Sequence, residues 1–323
     1  MTINDQNAVE VEAIEKKYGS FVAVNKISFS VRRGEIFGFL GPNGAGKSTT
    51  IRMLCGIISP TSGEGHVGGY DIIRQQDFIK QTIGYMSQKF SLYNDLTVEE
   101  NINFYSGIYR IPKAKRQERK DWVLKMAGLD ELRIHLTQTL SGGWKQRLAL
   151  GCAIIHEPRI LFLDEPTSGT DPISRKRFWD LIKTMAKNGV TVFVTTHYMD
   201  EAENCDRIAL IYKGDIIAAG TPVELKTNFM REEVLQVLVA QPETWLDKLK
   251  GVAQIKDTAL FGSVIHAISA DAEGSIIAVK ELFRRSKIKE YALKKIPPTL
   301  EDVFVSLIET HDRGNGFHES PKN

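Results

Sequence analysis

Apolar and polar positions alternate through Val9-Glu10-Val11-Glu12-Ala13-Ile14, which predicts a half-exposed strand. A turn at Lys17-Tyr18-Gly19-Ser20 and a second strand over Ile27-Ser28-Phe29-Ser30-Val31 follow. The pattern changes at Glu35-Ile36-Phe37-Gly38-Phe39-Leu40, an apolar run suited to a strand covered on both faces, and then becomes helical over Thr50 to Gly56. Turn residues at Ser59 to Gly63 and at Gly68-Gly69 bracket a short strand around Gly65-His66-Val67, which completes an antiparallel layer. Ile83 to Gln88 reads as a further strand. From Thr97 to about Leu136 the period is helical, starting at Thr97-Val98-Glu99-Glu100 with the spacing of a capping box. Buried-strand runs return at Ile160 to Asp164, Val190 to Thr195 and Arg207 to Tyr212, separated by helices over Ser174 to Lys187 and Tyr198 to Asn204. This α/β body closes near Leu225.

Beyond Lys226 the order becomes β-α-β-β-α-β, the split ferredoxin-like arrangement. Its members are strand Val234 to Val239, helix Pro242 to Lys250, strands near Val252 to Asp257 and Val264 to Ile268, helix Glu273 to Arg285 and strand Glu290 to Lys294. Pro298 and Thr299 start a last helix through Val303, Phe304, Leu307 and Ile308, and the polar stretch from His311 to Asn323 reads as a disordered tail. The expected division is a first domain over 1–225 with a helical subdomain at about 97–150, an α+β domain over 226–310, and a tail over 311–323.

Composition narrows the functional classes. The chain has 323 residues, 42% hydrophobic and 25% charged, with a net charge of only +2, so no bulk basic field points to nucleic acid. The basic cluster from Arg110 to Lys120 reads as a solvated helix face. Three cysteines, Cys55, Cys152 and Cys205, lack metal or redox spacing and read as buried small hydrophobes in a reducing compartment. The polar N-terminus does not resemble a leader, and no apolar run approaches membrane-spanning length, so a soluble cytosolic chain is expected.

Chemistry enters at Gly41-Pro42-Asn43-Gly44-Ala45-Gly46-Lys47-Ser48-Thr49, which fits the P-loop pattern between a buried strand and a helix. Phosphate oxygens need backbone N–H groups on several sides, and Gly41, Gly44 and Gly46 let the chain curl that tightly. Lys47 would reach the β- and γ-phosphates of ATP, Ser48 would take a position on Mg²⁺, and Thr49 would add a donor nearby. A second glycine-rich element, Leu140-Ser141-Gly142-Gly143-Trp144-Lys145-Gln146-Arg147, stands before another helix and forms a second anion-binding end.

This second element resembles the signature motif of ATP-binding cassette (ABC) ATPases, and the resemblance extends over roughly Val9 to Leu225. It implies the family's P-loop NTPase cassette, a RecA-like core with an antiparallel β-layer and a helical subdomain. It also implies head-to-tail pairing, as a homodimer or with a second ABC subunit, in which Ser141, Gly142 and Gly143 close on ATP held by the partner's P-loop. Ile160 to Asp164 is similar to Walker B, which gives Asp164 to Mg²⁺. Glu165 matches the carboxylate that polarises the attacking water, and His197 the switch histidine. Gln88 matches the Q-loop glutamine, a Mg²⁺ ligand and γ-phosphate relay, and Tyr18 the aromatic that stacks on adenine, while Asn43 lies within the nucleotide loop. Ser168-Gly169-Thr170-Asp171 resembles the D-loop. Trp144 and Thr170 depart from the usual glutamine and leucine, at positions without an essential phosphate contact.

The C-terminal module, ending in Pro298-Thr299-Leu300-Glu301-Asp302-Val303-Phe304, resembles that of bacterial ABC-2 type efflux ATPases, the daunorubicin-resistance and multidrug-export group. That resemblance implies a peripheral motor at the cytoplasmic face of the membrane, driving a separate ABC-2 permease that docks near Phe90, Tyr93, Phe104 and Tyr105, with helix-core packing an equal reading for Phe104 and Tyr105. A soluble ABC ATPase of the repair or ribosome-associated type is the alternative. Neither a long coiled-coil insertion nor a second cassette supports it. The C-terminal module reads as a dimer-stabilising domain, with a ligand sensor as the competing reading.

Overall fold

The computed structural model describes residues 5–89, 91–230 and 232–314. Contacts divide the chain into two compact units, Met1–Ala219 and Gly220–Asn323. The first unit begins with β1 (Asn7–Tyr18), β2 (Phe21–Arg32), β3 (Ile36–Leu40), α1 (Lys47–Leu54), β4 (Ser62–Val67), β5 (Tyr70–Asp71), α2 (Gln76–Thr82) and β6 (Ile83–Met86). A helical block follows, α3 (Val98–Ile108), α4 (Lys113–Ala127) and α5 (Gly142–Ile154), and alternation then returns in β7 (Ile160–Asp164), α6 (Pro172–Lys187), β8 (Thr191–Thr196), β9 (Arg207–Tyr212) and β10 (Asp215–Gly220).

Six strands form the central sheet in the order β10-β9-β3-β8-β7-β6. The pairs β3–β8, β3–β9, β6–β7 and β7–β8 are parallel. Every residue of β3, β7 and β8 is buried, the reason these segments lack alternation. The antiparallel sheet has the order β2-β1-β4-β5. Phe29 of β2 fastens the two sheets together: its ring stacks on Phe37 at 5.7 Å and lies 5.5 Å from Phe39 and 6.0 Å from Phe193. Burial of each such ring is worth about 1.5–3 kcal/mol.

The helical block has its own core of Val98, Ile102, Val123, Leu124, Leu148 and Cys152. Its first helix starts with the expected capping box between Thr97 and Glu100. Glu99 sits between Arg133, at 2.8 Å, and Lys120, and these partners pull its carboxyl down to about 2. The basic cluster is therefore only partly a solvated face: Lys120 is buried on Glu99, and Arg119 pairs with Glu157 at 2.7 Å. A chain-local reading of charge could not see partners that lie 21 and 38 residues away.

Three predicted elements differ in detail. The helix after the P-loop begins at Lys47, so the loop feeds directly into it. Strand β6 stops at Met86 and leaves Gln88 in the following loop. The helix predicted over Tyr198 to Asn204 is a 3-10 segment, Met199–Asn204.

The second unit contains α7 (Pro222–Phe229), β11 (Glu233–Val239), α8 (Leu246–Lys250), β12 (Ile255–Phe261), β13 (Val264–Ser269), α9 (Ala272–Arg285), β14 (Tyr291–Ile296) and α10 (Leu300–Gly314). Its sheet order is β12-β13-β11-β14, and each neighbouring pair is antiparallel. One face carries Leu235, Val237, Ile265 and Ala267 against Val279 and Phe283 of α9, while Val234 and Ile268 on the other face meet Val303 of α10. The division falls at Gly220 instead of Lys226. Thr221 caps α7 through a Glu224 capping box, and α7 packs on α10. Residues 311–314, expected in the tail, continue the last helix, and the remainder of the expected tail lies outside the described residues.

Candidate functional site

The loop from Gly41 to Thr49 joins β3 to α1 at the carboxyl end of the parallel strands. A Cβ on Gly41 would lie 2.1 Å from the Ile211 carbonyl oxygen, and one on Gly46, whose φ is +109°, would lie 2.5 Å from that of Ala23. No side chain fits at either position, and the backbone is forced into a concave path beside the N-terminus of α1. Lys47 is buried there. Its ammonium donates to the carbonyls of Gly41, at 2.8 Å, and Pro42, at 3.0 Å, and lies 3.0 Å from Oε1 of Glu165.

Two adjacent carboxylates end β7 with different environments. Oδ1 of Asp164 accepts from Ser48 Oγ at 3.1 Å and from Thr195 Oγ1 at 2.7 Å, while Oδ2 is buried without a protein partner among the described residues. Burial pushes the Asp164 carboxyl up, and the Thr195 and Ser48 hydroxyls pull it back. Glu165 adopts φ +47°, a left-handed conformation that costs a non-glycine residue energy. Its N–H donates to the Thr195 carbonyl at 3.1 Å, which holds the backbone in that turn. The carboxylate is thereby delivered to three side chains from three other loops. Besides Lys47 on Oε1, Gln88 Nε2 donates to Oε2 at 3.1 Å and His197 Nδ1 lies 3.2 Å from the same oxygen.

A cavity of about 390 Å³ opens over this cluster. Asn43, Gly44, Gly46, Lys47, Ser48 and Thr49 line it, with Gln88 and Glu165 across from them. Tyr18, 51% exposed, lies at the same cavity, and so does Phe21, 62% exposed, which the sequence reading missed. Tyr18 and Phe21 are paired across the β1–β2 hairpin. The expected second strand began only at Ile27, and the register of the longer β2 reveals a second aromatic paired with Tyr18. Thr195 was missed as well, hidden in an unbroken buried strand.

Ser141, Gly142 and Gly143 are not brought to this cavity. Ser141 and Gly142 are exposed at the start of α5, and the Ser141 side chain makes no capping bond. Gly143 abuts the first turn of α6, where a Cβ would meet Ser174 Oγ at 2.5 Å. Trp144 packs on the helical-block core with Arg147 stacked 4.8 Å from its ring. Asp171, at the end of the D-loop stretch, accepts from the N–H groups of Ile173 and Ser174 as the cap of α6.

Of the aromatic groove residues, Phe90 lies outside the described residues. Tyr93 and Phe104 are exposed and meet edge to face at 4.6 Å. Tyr105 donates to the Ser91 carbonyl and lines a separate cavity of about 240 Å³ with Ile57, Tyr85, Met86, Leu92 and Tyr109.

Phosphates and a divalent cation fit the first cavity on two observations: a cradle whose glycines admit no Cβ, and the unpartnered Asp164 Oδ2 beside the Ser48 hydroxyl. Among known proteins, the family described as ABC transporter matches residues 24–168. The probable multidrug ABC transporter ATP-binding protein YbhF of Escherichia coli (strain K12) is 51% identical over 228 residues, which cover 71% of this chain. The chain spans only 39% of the length of that relative. The linearmycin resistance ATP-binding protein LnrL of Bacillus subtilis (strain 168) is 37% identical over 303 residues, 93% of this chain and 97% of the relative. A solved dimeric cassette, MJ0796 in a post-hydrolysis state bound to ADP and Pi, superposes with a TM-score of 0.60 at 28% identity, covering 66% of this chain and 98% of that one.

Proposed function

The chain belongs to the ABC transporter family, and from that premise we propose that it is an ATP-hydrolysing motor subunit that drives a separate membrane permease in export. The observation that carries the reading is the convergence of Lys47, Gln88 and His197 on the Glu165 carboxylate at the wall of one cavity. Lys47 exchanges the Gly41 and Pro42 carbonyls for the β- and γ-phosphates. Ser48 and Asp164, with Gln88 beside them, would hold Mg²⁺, which would supply charge neutralisation at the phosphate oxygens. Glu165 orients a water for attack on the γ-phosphorus, the bond to the ADP oxygen breaks, and ADP and phosphate result. His197 donates to the charge developing on the γ-phosphoryl oxygens. Tyr18 and Phe21 contact the adenine.

The catalytic unit is a head-to-tail pair: Ser141 and Gly142 form an exposed helix start, and none of Ser141, Gly142 and Gly143 lines the nucleotide cavity of their own chain. The dimeric state of the MJ0796 cassette with ADP and Pi supports a pair of cassettes. Among the described residues no helix is long and apolar enough to cross a membrane. The multidrug-transporter name of YbhF and the linearmycin-resistance name of LnrL support the export reading, and the permease in this reading is of the ABC-2 type, with the motor at the cytoplasmic face of the membrane. The permease docks near the exposed Tyr93 and Phe104 and the adjacent Tyr105. The test is Glu165→Gln: ATP binding persists while turnover falls at least about a hundredfold. Near-normal turnover contradicts the assignment, and absence of any integral membrane protein after detergent copurification contradicts the transport role.

A further inference from the structure

His197 must be held where it meets Glu165, and the residues that hold it lie outside every motif described above. Its ring lies 4.1 Å from that of Tyr198, and the Arg175 guanidinium covers the Tyr198 ring at 4.2 Å. Arg175 comes from the first turn of α6. Its Nε lies 3.3 Å from Oε1 of Glu201, and its Nη1 lies 3.4 Å from Oδ2 of Asp200. Glu201 is only 1% exposed, and the same Oε1 accepts from Thr167 Oγ1 at 2.5 Å. Thr167 stands two residues beyond Glu165, and its carbonyl accepts from Thr170 Oγ1 at 2.7 Å.

The two chain segments that carry Glu165 and His197 are thus tied through one buried carboxylate and one guanidinium. We propose that Arg175, acting with Glu201 and Thr167, is a positioning residue that fixes the segment His197 to Glu201 so that His197 stays aligned on Glu165 during hydrolysis. The guanidinium does two jobs that a lysine cannot combine: it faces the Glu201 carboxylate and it sits over the Tyr198 ring. Buried charge makes the arrangement rigid, since Glu201 without a cation would be left uncompensated. The inference rests on the ATPase reading above.

Arg175→Lys keeps a charge for Glu201 and loses the plane over Tyr198. Its melting temperature stays near that of the parent chain, its KM for ATP changes less than about twofold, and its kcat falls about tenfold. In a His197→Ala background the Arg175→Lys change has no further effect on kcat, because Arg175 acts through His197. Unchanged kcat in Arg175→Lys, or losses that multiply with His197→Ala, overturn the proposal. A parent chain without measurable hydrolysis contradicts the proposed function itself, and the inference falls with it. An active parent with an indifferent Arg175→Lys contradicts the inference alone.

Discussion

The chain carries two glycine-rich ends of helices, and they differ in what surrounds them. At Gly41 to Thr49 the helix start is enclosed, and around its own Lys47 the side chains of Asp164, Glu165, Gln88 and His197 converge from three other segments. At Ser141 to Gly143 the helix start is exposed, and none of the residues lining the catalytic cavity belongs to it. An N–H-rich helix start can hold an anion in either case. Only the first has groups that can react with what it holds. The difference teaches which cradle has reactive groups around it: the proposed function gives the chemistry to the first and presents the second outward. A second copy's γ-phosphate is the occupant that the proposed function assigns.

The largest expected effect falls on the enclosed end. Glu165→Gln lowers kcat by about 10²- to 10⁴-fold with ATP affinity retained, measured by steady-state hydrolysis and nucleotide titration. If both ends belong to one composite site, damage to the exposed end also stops hydrolysis. Ser141→Arg lowers turnover at least about tenfold while ATP affinity in the separated chain stays within about twofold. Mixing Ser141→Arg with Lys47→Ala regains activity that neither has alone, because one of the two sites in the mixed dimer is then whole. No recovery on mixing would separate the two ends functionally.

Smaller effects sharpen the boundary of the enclosed site. Tyr18→Ala raises the KM for ATP about fivefold, and Phe21→Ala raises it less, since stacking on a base is worth about 1–3 kcal/mol and both rings are half solvated. Equal losses would make Phe21 a full partner of Tyr18. The smallest effect concerns the block that carries the exposed end. Arg133 and Lys120 depress Glu99 from 4.5 to about 2, so its stabilising contribution is complete above pH 4.5 and is lost as pH falls toward 2. Glu99→Gln is therefore less stable than the parent at neutral pH in urea unfolding, and the gap closes with acidification across that window. A gap that does not depend on pH would show that these ion pairs do not anchor the helical block.

Legibility in the sequence follows from how local the physical cause is. The P-loop pattern was readable because its glycines, Lys47 and Ser48 answer to one loop's geometry, whereas the role of Ser141 to Gly143 came only through family resemblance. The capping boxes at Thr97 and the strand runs of β3, β7 and β8 were readable for the same reason. The meeting of Gln88, Glu165 and His197 spans 77 and 32 residues and was reached only through family resemblance. Phe21 depends on hairpin register, Thr195 on a hydroxyl inside a buried strand, and Arg175 on a contact with a loop 25 residues away. The extension of the last helix through Gly314 escaped notice because polar residues at a helix end look like a tail.

The size of the Glu165→Gln chain in solution, measured by sedimentation with and without ATP, tests the half-site assignment most directly. A monomer that becomes a dimer on adding ATP, and does not do so when Ser141→Arg is also present, is the predicted result. A chain that binds ATP, hydrolyses it in parent form and remains monomeric throughout would contradict it.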